Sequence, residues 1–233
     1  MEKLRVDIWS DIACPWCYVG KRRLEAALAR FAHRDDVDVV WHAFELDPAA
    51  PRVRDEKTTY AARLAKKYGA PVARAEEMIR TMTETAARDG LDFRFDRVRA
   101  GNTFDAHRVI HLAHERGKQD AVKERLLAAY MTEGEAIGET DTLVRLGAQA
   151  GLDADEVAAV LASDDHAAAV REDEAKAREL GVNGVPFFVF GGKYAVSGAQ
   201  PAEVLLGALE RAWSEAGLVT YDEGAVCGPD GCA

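Results

Sequence analysis

The chain has 233 residues, 48% hydrophobic and 30% charged, which is typical of a globular protein and sufficient for one large domain or two small ones. Its formal net charge of -10 argues against a general nucleic-acid binder, because phosphate contacts need a basic surface. No apolar run approaches the roughly 18 residues of a membrane-spanning helix.

The first residues lack the pattern of a signal peptide, because Asp7, Ser10 and Asp11 interrupt the apolar run. We therefore expect a cytoplasmic protein. Four cysteines are too few for a disulfide scaffold in a chain of this length. In a reducing compartment, two close cysteines are more often metal-binding or catalytic than structural.

Strand and helix patterns alternate at the N-terminus. The alternation of Leu4 to Trp9 predicts a strand that ends at a loop. Helical spacing begins at Pro15, and Val37 to Leu46 is a second strand candidate.

The middle of the chain has helical periodicity from residue 59 to residue 180. The predicted helices are Thr59–Tyr68, Ala73–Asp89, Asp105–Glu115, Gln119–Glu133, Thr142–Ala150, Asp155–Ala162 and His166–Leu180.

Strand patterns return near the C-terminus. Phe187 to Phe190 and Tyr194 to Ser197 flank a glycine pair, which predicts a hairpin, and Pro201 opens a last helix over 202–216. Two strands alone make no useful sheet, so the first β-α-β unit and this hairpin are expected to share one sheet, with the helices inserted between them. The loop after the first strand then lies at the end of the sheet.

That loop carries Cys14 and Cys17 in the sequence CPWC. The position before Pro15 places Cys14 at a helix N-terminus, where free N–H groups and the helix dipole stabilise an anion. Such sites lower a thiol pKa from about 8.5 to roughly 3.5–7.5. We predict an exposed attacking thiolate at Cys14 and a resolving thiol at Cys17.

Other interpretations of the pair are weaker. A zinc site needs four ligands, and the remaining cysteines, Cys227 and Cys232, do not form a second Cys-x-x-Cys. Two inert core cysteines fit the sequence even less well, because a Cys-x-x-Cys motif between a strand and a helix is typical of redox sites. His107 and His111 share a helix face, but without a His-Glu-x-x-His pattern we expect a helix docked near the site and no metal.

Three longer stretches carry a family resemblance. They are GVNGVPFFVF at 181–190, NTFDAHRVIHLA at 102–113 and VSGAQP at 196–201. With CPWC and the cysteine-bearing tail, the chain resembles the DsbA-like thioredoxin superfamily over its whole length. It is similar to the FrnE branch, often described as 2-hydroxychromene-2-carboxylate isomerase-like.

The resemblance implies an α/β architecture, a thioredoxin-like fold with an inserted all-helical domain. Residues 1–50 and 181–216 would form the thioredoxin-like domain, and residues 51–180 the helical insertion, its last helix packing back on that domain. Residues 217–233 would be a tail carrying Cys227 and Cys232. From the residues themselves, a glycine-proline turn could bring these two cysteines together as an accessory redox pair that exchanges with Cys14. The alternative is a tail that binds adventitious metal or has no measurable role.

The resemblance also implies a cis Val185-Pro186 bond facing the cysteines, with the preceding backbone pairing with substrate. From the residues alone, an ordinary trans proline is equally consistent. Trp16 and Asn102 are further candidate substrate contacts, although Trp16 is also explained as an exposed spacer.

Glutathione-dependent isomerases and kappa-class transferases are the competing relatives. In that group, a serine stands at the position of Cys14, the second cysteine is absent, and an acidic residue follows the last strand. This chain has both cysteines, and its loop reads Gly198-Ala199-Gln200. These departures favour dithiol chemistry.

We therefore predict a DsbA-family disulfide oxidoreductase or isomerase that acts on protein or small-molecule thiols and disulfides. The alternatives are a glutathione-dependent isomerase or transferase of an aromatic or polyketide-like molecule, and a non-catalytic binding module or holdase. We expect no resident cofactor, with glutathione at most a reductant or co-substrate.

Two charged runs have a simple interpretation. Lys21, Arg22 and Arg23 follow the cysteines by a turn or more, and we expect them to be solvated. The run from Arg171 to Glu174, with Lys176 and Arg178, predicts a solvated helix face with i, i+4 ion pairs.

Overall fold

The computed structural model of the chain describes residues 3–52 and 58–216. Its four strands form one mixed sheet in the order β2-β1-β3-β4. β1 pairs parallel with β2 and antiparallel with β3, and β3 pairs antiparallel with β4. The strands are β1 (Leu4–Ser10), β2 (Val37–Ala43), β3 (Phe187–Phe190) and β4 (Tyr194–Ser197). The expected sharing of one sheet by the first unit and the hairpin is confirmed.

Two helices accompany the sheet strands in sequence. Helix α1 (Pro15–Arg30) connects β1 to β2, and helix α9 (Ala202–Glu215) follows β4. Both pack on the sheet face that carries Val6 and Ile8, which are fully buried. The alternating burial of β1 explains this packing, because successive side chains point to opposite faces.

Seven helices lie between β2 and β3 in the described chain. They are α2 (Tyr60–Tyr68), α3 (Val72–Arg88), α4 (Phe104–Glu115), α5 (Gln119–Ala128), α6 (Thr140–Gln149), α7 (Ala154–Ala162) and α8 (Ala167–Glu179). Each lies within a few residues of its predicted range. None of the helices in the described part is long and apolar enough to cross a membrane.

Two boundaries differ from the prediction. The predicted helix over 119–133 changes to a π-helical turn at Ala129–Glu133, where the carbonyl oxygen of Met131 accepts a hydrogen bond from the Arg94 amide. Strand β2 ends at Ala43 rather than Leu46, because the Leu46 amide donates to the Asp11 carboxylate instead of to a strand.

One hydrophobic cluster includes side chains of the sheet and of the intervening helices. Helix α8 packs against β2, as do α4 and α5. The division into a thioredoxin-like domain and a helical insertion stays a prediction. The predicted tail, with Cys227 and Cys232, lies outside the described residues.

Candidate active site

The two cysteines of the CPWC sequence lie where the sheet meets helix α1. β1 ends at Ser10 and α1 begins at Pro15, so Cys14 is the N-cap residue with an extended backbone. The Cys14 amide donates to the carbonyl oxygen of Asp11 at 3.3 Å, and the Cys17 amide donates to that of Cys14 at 3.1 Å. Proline suits the first helical position because its missing N–H would lack a helical partner there. Both cysteines are free thiols in this structure.

Both thiols are buried, which corrects the expectation of an exposed Cys14. Cys14 is 4% exposed and Cys17 is 0% exposed. Trp9 of β1 and the residues Val182 and Val185 pack around them. The segment before β3 covers the start of α1, a contact between residues far apart in sequence. Of the two residues, Cys14 retains the larger exposed fraction.

The segment that covers the thiols contains the expected cis bond between Val185 and Pro186. The Cys14 Sγ atom lies 3.4 Å from the carbonyl oxygen of Val185, within hydrogen-bond distance for sulfur. The carbonyl oxygen of Pro186 accepts from the Gly198 amide at 2.8 Å, which connects this segment to the end of β4. The structure thus brings Cys14, Cys17, Val185 and Pro186 together.

The two thiols titrate as a coupled pair. The hydrogen bond with Cys17 and burial raise the pKa of Cys14 well above its usual value. Burial alone would also raise the pKa of Cys17, but the hydrogen bond with Cys14 and the positive charge of Lys123 lower it overall. The lowered pKa therefore belongs to the first proton of the pair, and the positive charge of Lys123 favours its loss.

Lys123 is the charged residue that sequence reasoning missed. Its side chain on α5 is fully buried, and its Nζ atom donates to the carbonyl oxygen of Ser10 at 3.4 Å. The Nζ atom also lies 5.5 Å from the ring centroid of Trp41. Burial lowers the pKa of Lys123 to about 8, while the nearby thiols and Asp11 favour its charged form. A lysine in a helical pattern predicts solvent exposure, so no local signal marked this one.

Asp11 lies on the other side of the same loop and is also buried. Its Oδ1 atom is 3.5 Å from Nε2 of His107 on α4, and its Oδ2 atom accepts from the Leu46 amide at 2.8 Å. Burial alone would raise the pKa of Asp11, but the contact with His107 and the hydrogen bond from the Leu46 amide lower it, and burial lowers the pKa of His107. A carboxylate beside a neutral imidazole results. Helix α4 therefore packs beside the loop between β1 and α1, as expected from the positions of His107 and His111.

The expectation of a solvated face on α8 is wrong for Asp173, which is buried. Its carboxylate lies 2.6 Å from Nδ1 of His42 and 2.9 Å from Nε2 of His111. His42 also contacts Asp7 at 2.8 Å and stacks on Trp9, with 4.6 Å between the ring centroids. Burial alone would lower the pKa of His42, but Asp173 and Asp7 raise it to about 9. A charged imidazole therefore lies behind the tryptophan that packs on the thiols.

Glu174 of the same run is buried as well, and Arg171 joins it to Glu45 beyond β2. The amide of Asn102 donates to Glu45 at 3.1 Å, and its side-chain oxygen accepts from the Phe104 amide at 2.8 Å. These bonds position the start of α4. A contact of Asn102 with substrate stays a prediction.

The expectation of solvated charges after the cysteines is wrong for Lys21, which is 2% exposed. Its Nζ atom lies 3.1 Å from the carboxylates of Asp120 and Glu124 on α5, so it joins α1 to the helical block. Arg22 also pairs with Glu124, and Arg23 with Asp89 at 3.0 Å. The cause is the packing of α5 on α1, which the sequence alone does not show.

Trp16, between the two cysteines, is half-buried and packs against both hydrophobic clusters. It is therefore neither a fully exposed spacer nor a core residue. Among the residues that the structure describes, no group of three or more His, Cys, Asp or Glu side chains is arranged to hold a metal ion.

Comparisons with known proteins agree with this geometry. The model of the DSBA-like thioredoxin domain matches residues 5–210. A probable DsbA oxidoreductase from Streptomyces coelicolor is 46% identical, with a TM-score of 0.86 over 99% of this chain and 98% of that chain. The protein YwbO of Bacillus subtilis (strain 168) is 27% identical over 190 residues, 81% of this chain and 87% of its own length.

A more distant structure shares the fold. The cytosolic disulfide reductase DsbM from Pseudomonas aeruginosa, solved with GSH, is 20% identical, with a TM-score of 0.57 over 92% of this chain and 99% of that chain. The family match extends across the sheet and the helices between its strands. The chain therefore belongs to the DSBA-like thioredoxin domain family and is an enzyme of the disulfide oxidoreductase or isomerase class.

Proposed function

We propose that this chain is a thiol-disulfide oxidoreductase that exchanges disulfides with protein or small-molecule thiols through Cys14 and Cys17. One observation carries the proposal. Two free, buried thiols lie at the start of α1, and the Cys14 Sγ atom lies 3.4 Å from the carbonyl oxygen of Val185, which precedes the cis-proline. This arrangement supplies a reachable sulfur and a second sulfur to resolve the adduct.

The first step forms a mixed disulfide. The pair has lost one proton, and Cys14 attacks as the thiolate while Cys17 holds the remaining proton. A bond forms between Cys14 and one substrate sulfur, the substrate disulfide breaks, and the leaving thiolate takes the electron pair and a proton from solvent.

The second step resolves the adduct. Cys17 loses its proton with the help of the positive charge of Lys123, attacks Cys14 and releases the second substrate thiol. The substrate has gained two electrons and two protons, and the protein holds a Cys14–Cys17 disulfide. A cellular thiol then restores the dithiol, and with an oxidising partner the same steps run in reverse.

Several finer assignments accompany this proposal. We propose Trp16, Val185 and Pro186 as substrate contacts, because they border the two sulfurs. The cytoplasm stays the proposed compartment, glutathione is a suitable reductant, and Cys227 with Cys232 would serve as an accessory redox pair. The presence of two free thiols in one buried cluster favours this chemistry over the single-thiol isomerase alternative.

The deciding experiment is a redox titration in glutathione buffers, with alkylation and mass mapping of all four cysteines. We expect Cys14 and Cys17 to change oxidation state together. Cys14→Ser should abolish disulfide turnover, and Cys17→Ser should accumulate a mixed disulfide at Cys14. Full exchange activity in Cys14→Ser, or a stable glutathione adduct at Cys14 beside a free Cys17 in the wild type, would contradict the proposal.

A further inference from the structure

A second feature of the molecule is a cavity of about 640 Å³ beside the start of α2. Helices α2 and α3 and the chain from Phe95 to Ala100 border it. The volume is within the range of roughly 300–1,000 Å³ that small-molecule sites occupy. The aromatic rings of Tyr60 and Phe95, whose centroids are 4.7 Å apart, form an apolar wall.

The polar lining is basic although the chain as a whole is acidic. Four arginines line the cavity, namely Arg52, Arg63, Arg97 and Arg99. The described lining includes one carboxylate, Asp96, which lies 3.5 Å from Arg94. Such a concentration of positive charge in a concave site attracts anions.

Among the residues that the structure describes, two of these arginines pair with carboxylates and two do not. Arg52 pairs with Asp105, and Arg99 lies 3.4 Å from Glu139. Within residues 3–52 and 58–216, no carboxylate pairs with Arg63 or Arg97. The guanidinium groups of both therefore have donors available for a planar anion.

Arg63 shows this unused capacity directly. One of its Nη atoms donates to the carbonyl oxygen of Thr58, whereas its Nη2 atom is buried and has no hydrogen-bond partner in the described structure. Its Cζ atom lies 5.5 Å from the ring centroid of Tyr60. Because a buried donor without an acceptor is costly, a bound carboxylate would stabilise this arrangement.

A series of aromatic contacts connects the cavity to helix α1, which begins at the two cysteines. Tyr18 of α1 stacks on Phe93 with 6.1 Å between centroids, and Phe93 contacts Phe95 at 5.6 Å. Phe95 in turn contacts Tyr60 in the cavity wall. These three ring contacts join the cavity wall to the helix that begins at the cysteines.

We propose that this cavity binds the carboxylate end of a small acidic substrate with an aromatic or otherwise apolar body. Arg63 and Arg97 hold the carboxylate, Tyr60 and Phe95 contact the body, and the sulfur of the substrate reaches Cys14. The inference rests on the proposed disulfide exchange at Cys14 and Cys17 and specifies the substrate class of that reaction.

The first test compares two aromatic disulfides that differ in charge. Reduced protein reacts with the dianionic dithiobis(nitrobenzoate) and with neutral dithiodipyridine, and release of each aromatic thiol is followed. Arg97→Gln should lower the rate constant for the dianion about tenfold, because the variant loses one charge-assisted hydrogen bond to the carboxylate. The rate constant for the neutral disulfide should not change. Arg97→Lys should recover part of the loss.

The matched control is Arg88→Gln. Arg88 is exposed at the end of α3 and lies outside the cavity lining, so its loss changes the net charge equally without removing a donor from the cavity. An equal effect of Arg88→Gln, or equal effects of Arg97→Gln on both disulfides, would overturn the proposal and leave disulfide exchange intact.

A second arm separates the two proposals. Binding of nitrobenzoate, which has no sulfur, is measured by calorimetry on a Cys14→Ser variant, and Arg97→Gln introduced into it should weaken binding about tenfold. If wild-type protein reacts with neither disulfide, the exchange proposal fails. The nitrobenzoate measurement still tests whether the cavity binds a carboxylate. Absence of nitrobenzoate binding overturns the carboxylate site.

Discussion

Lys123 and Asp11 place opposite charges beside the same two sulfurs. The positive charge lowers the pKa of Cys17, and the negative charge contributes to the raised pKa of Cys14. Neither group is exposed, so solvent screens their effects weakly. The reactivity of the dithiol is thus set by two buried side chains in addition to the helix N-terminus.

Replacement of the buried cation gives the first prediction. Lys123→Met should raise the pKa for the first proton of the thiol pair by about one unit, because a nearby opposite charge stabilises the thiolate by at least that much. Slower alkylation near neutral pH should accompany the shift. The ultraviolet absorbance of the thiolate, followed against pH, measures it.

Lys118→Met is the matched control, because Lys118 is exposed and precedes α5 by one residue. The thiolate titration of this variant should match that of the wild type. An unchanged titration in Lys123→Met would show that the lysine does not act on the sulfurs.

His42 gives a prediction about stability against pH. The pKa of His42 is raised from 6.5 to about 9. Its contribution to the free energy of unfolding is therefore complete below pH 6.5 and is lost as the pH rises through about 9. The folded state should lose about 3 kcal/mol over that window, since each pKa unit corresponds to about 1.4 kcal/mol. Urea unfolding at a series of pH values measures the loss.

The comparison with His42→Gln isolates this contribution. Lys123 acts in the opposite direction, because its lowered pKa of about 8 makes stability rise between pH 8 and its usual value of 10.5. The difference between wild type and His42→Gln removes the lysine effect and should shrink as the pH rises. A difference independent of pH would contradict the raised pKa.

At the scale of elements, α1 approaches the cis-proline segment closely at Gly20. A Cβ atom at this position would lie 2.8 Å from Cγ of Pro186 and 3.2 Å from the Phe188 ring. The glycine therefore allows the thiol helix to pack directly on β3 and on the residues that cover Cys14. This contact sets the distance between the two halves of the site.

Gly20→Ala should displace α1 from Pro186 and destabilise the protein by about 1–3 kcal/mol, the usual cost of overpacking. Disulfide exchange should slow because Cys14 moves relative to Val185. Chemical denaturation measures the first effect and stopped-flow exchange the second.

Gly207→Ala in α9 is the comparison for this substitution, since a Cβ atom there has no neighbour within 4 Å. It should stabilise the protein by about 0.5–1 kcal/mol, as expected for alanine in place of an exposed helical glycine. Equal stabilisation by both substitutions would disprove the close contact at Gly20.

At the scale of the whole molecule, one hydrophobic cluster joins the sheet to the intervening helices. Side chains as distant in sequence as Val6, Val109 and Leu126 belong to it. Ion pairs between α1 and α5 also join the sheet side to the helices between β2 and β3. These contacts favour cooperative unfolding of the predicted sheet and helical units.

The tryptophans allow a direct test of cooperativity. They all lie in the elements of the sheet side, namely Trp9 in β1, Trp16 in α1, Trp41 in β2 and Trp213 in α9. Fluorescence therefore reports the sheet side, and far-ultraviolet circular dichroism mainly reports the helices. We expect coincident urea transitions. Two separate midpoints would show that the helices between β2 and β3 unfold as an independent domain.

The sequence by itself determined the order of strands and helices, the position of the CPWC motif at the junction of β1 and α1, and, through the family resemblance, the cis bond before Pro186. These features are local. Periodicity and the spacing of Pro15 between two cysteines depend on neighbouring residues, and they predict the same element wherever the chain places it.

Only the tertiary structure decided which charges are buried and where the thiols lie. Ser10 and Lys123 are 113 residues apart, and His42 and Asp173 are 131 residues apart. A charged residue in an amphipathic pattern predicts a solvated face, and a partner from a distant segment reverses that prediction. The burial of Cys14 and the arginine-lined cavity depend on the same long-range packing, which no local pattern records.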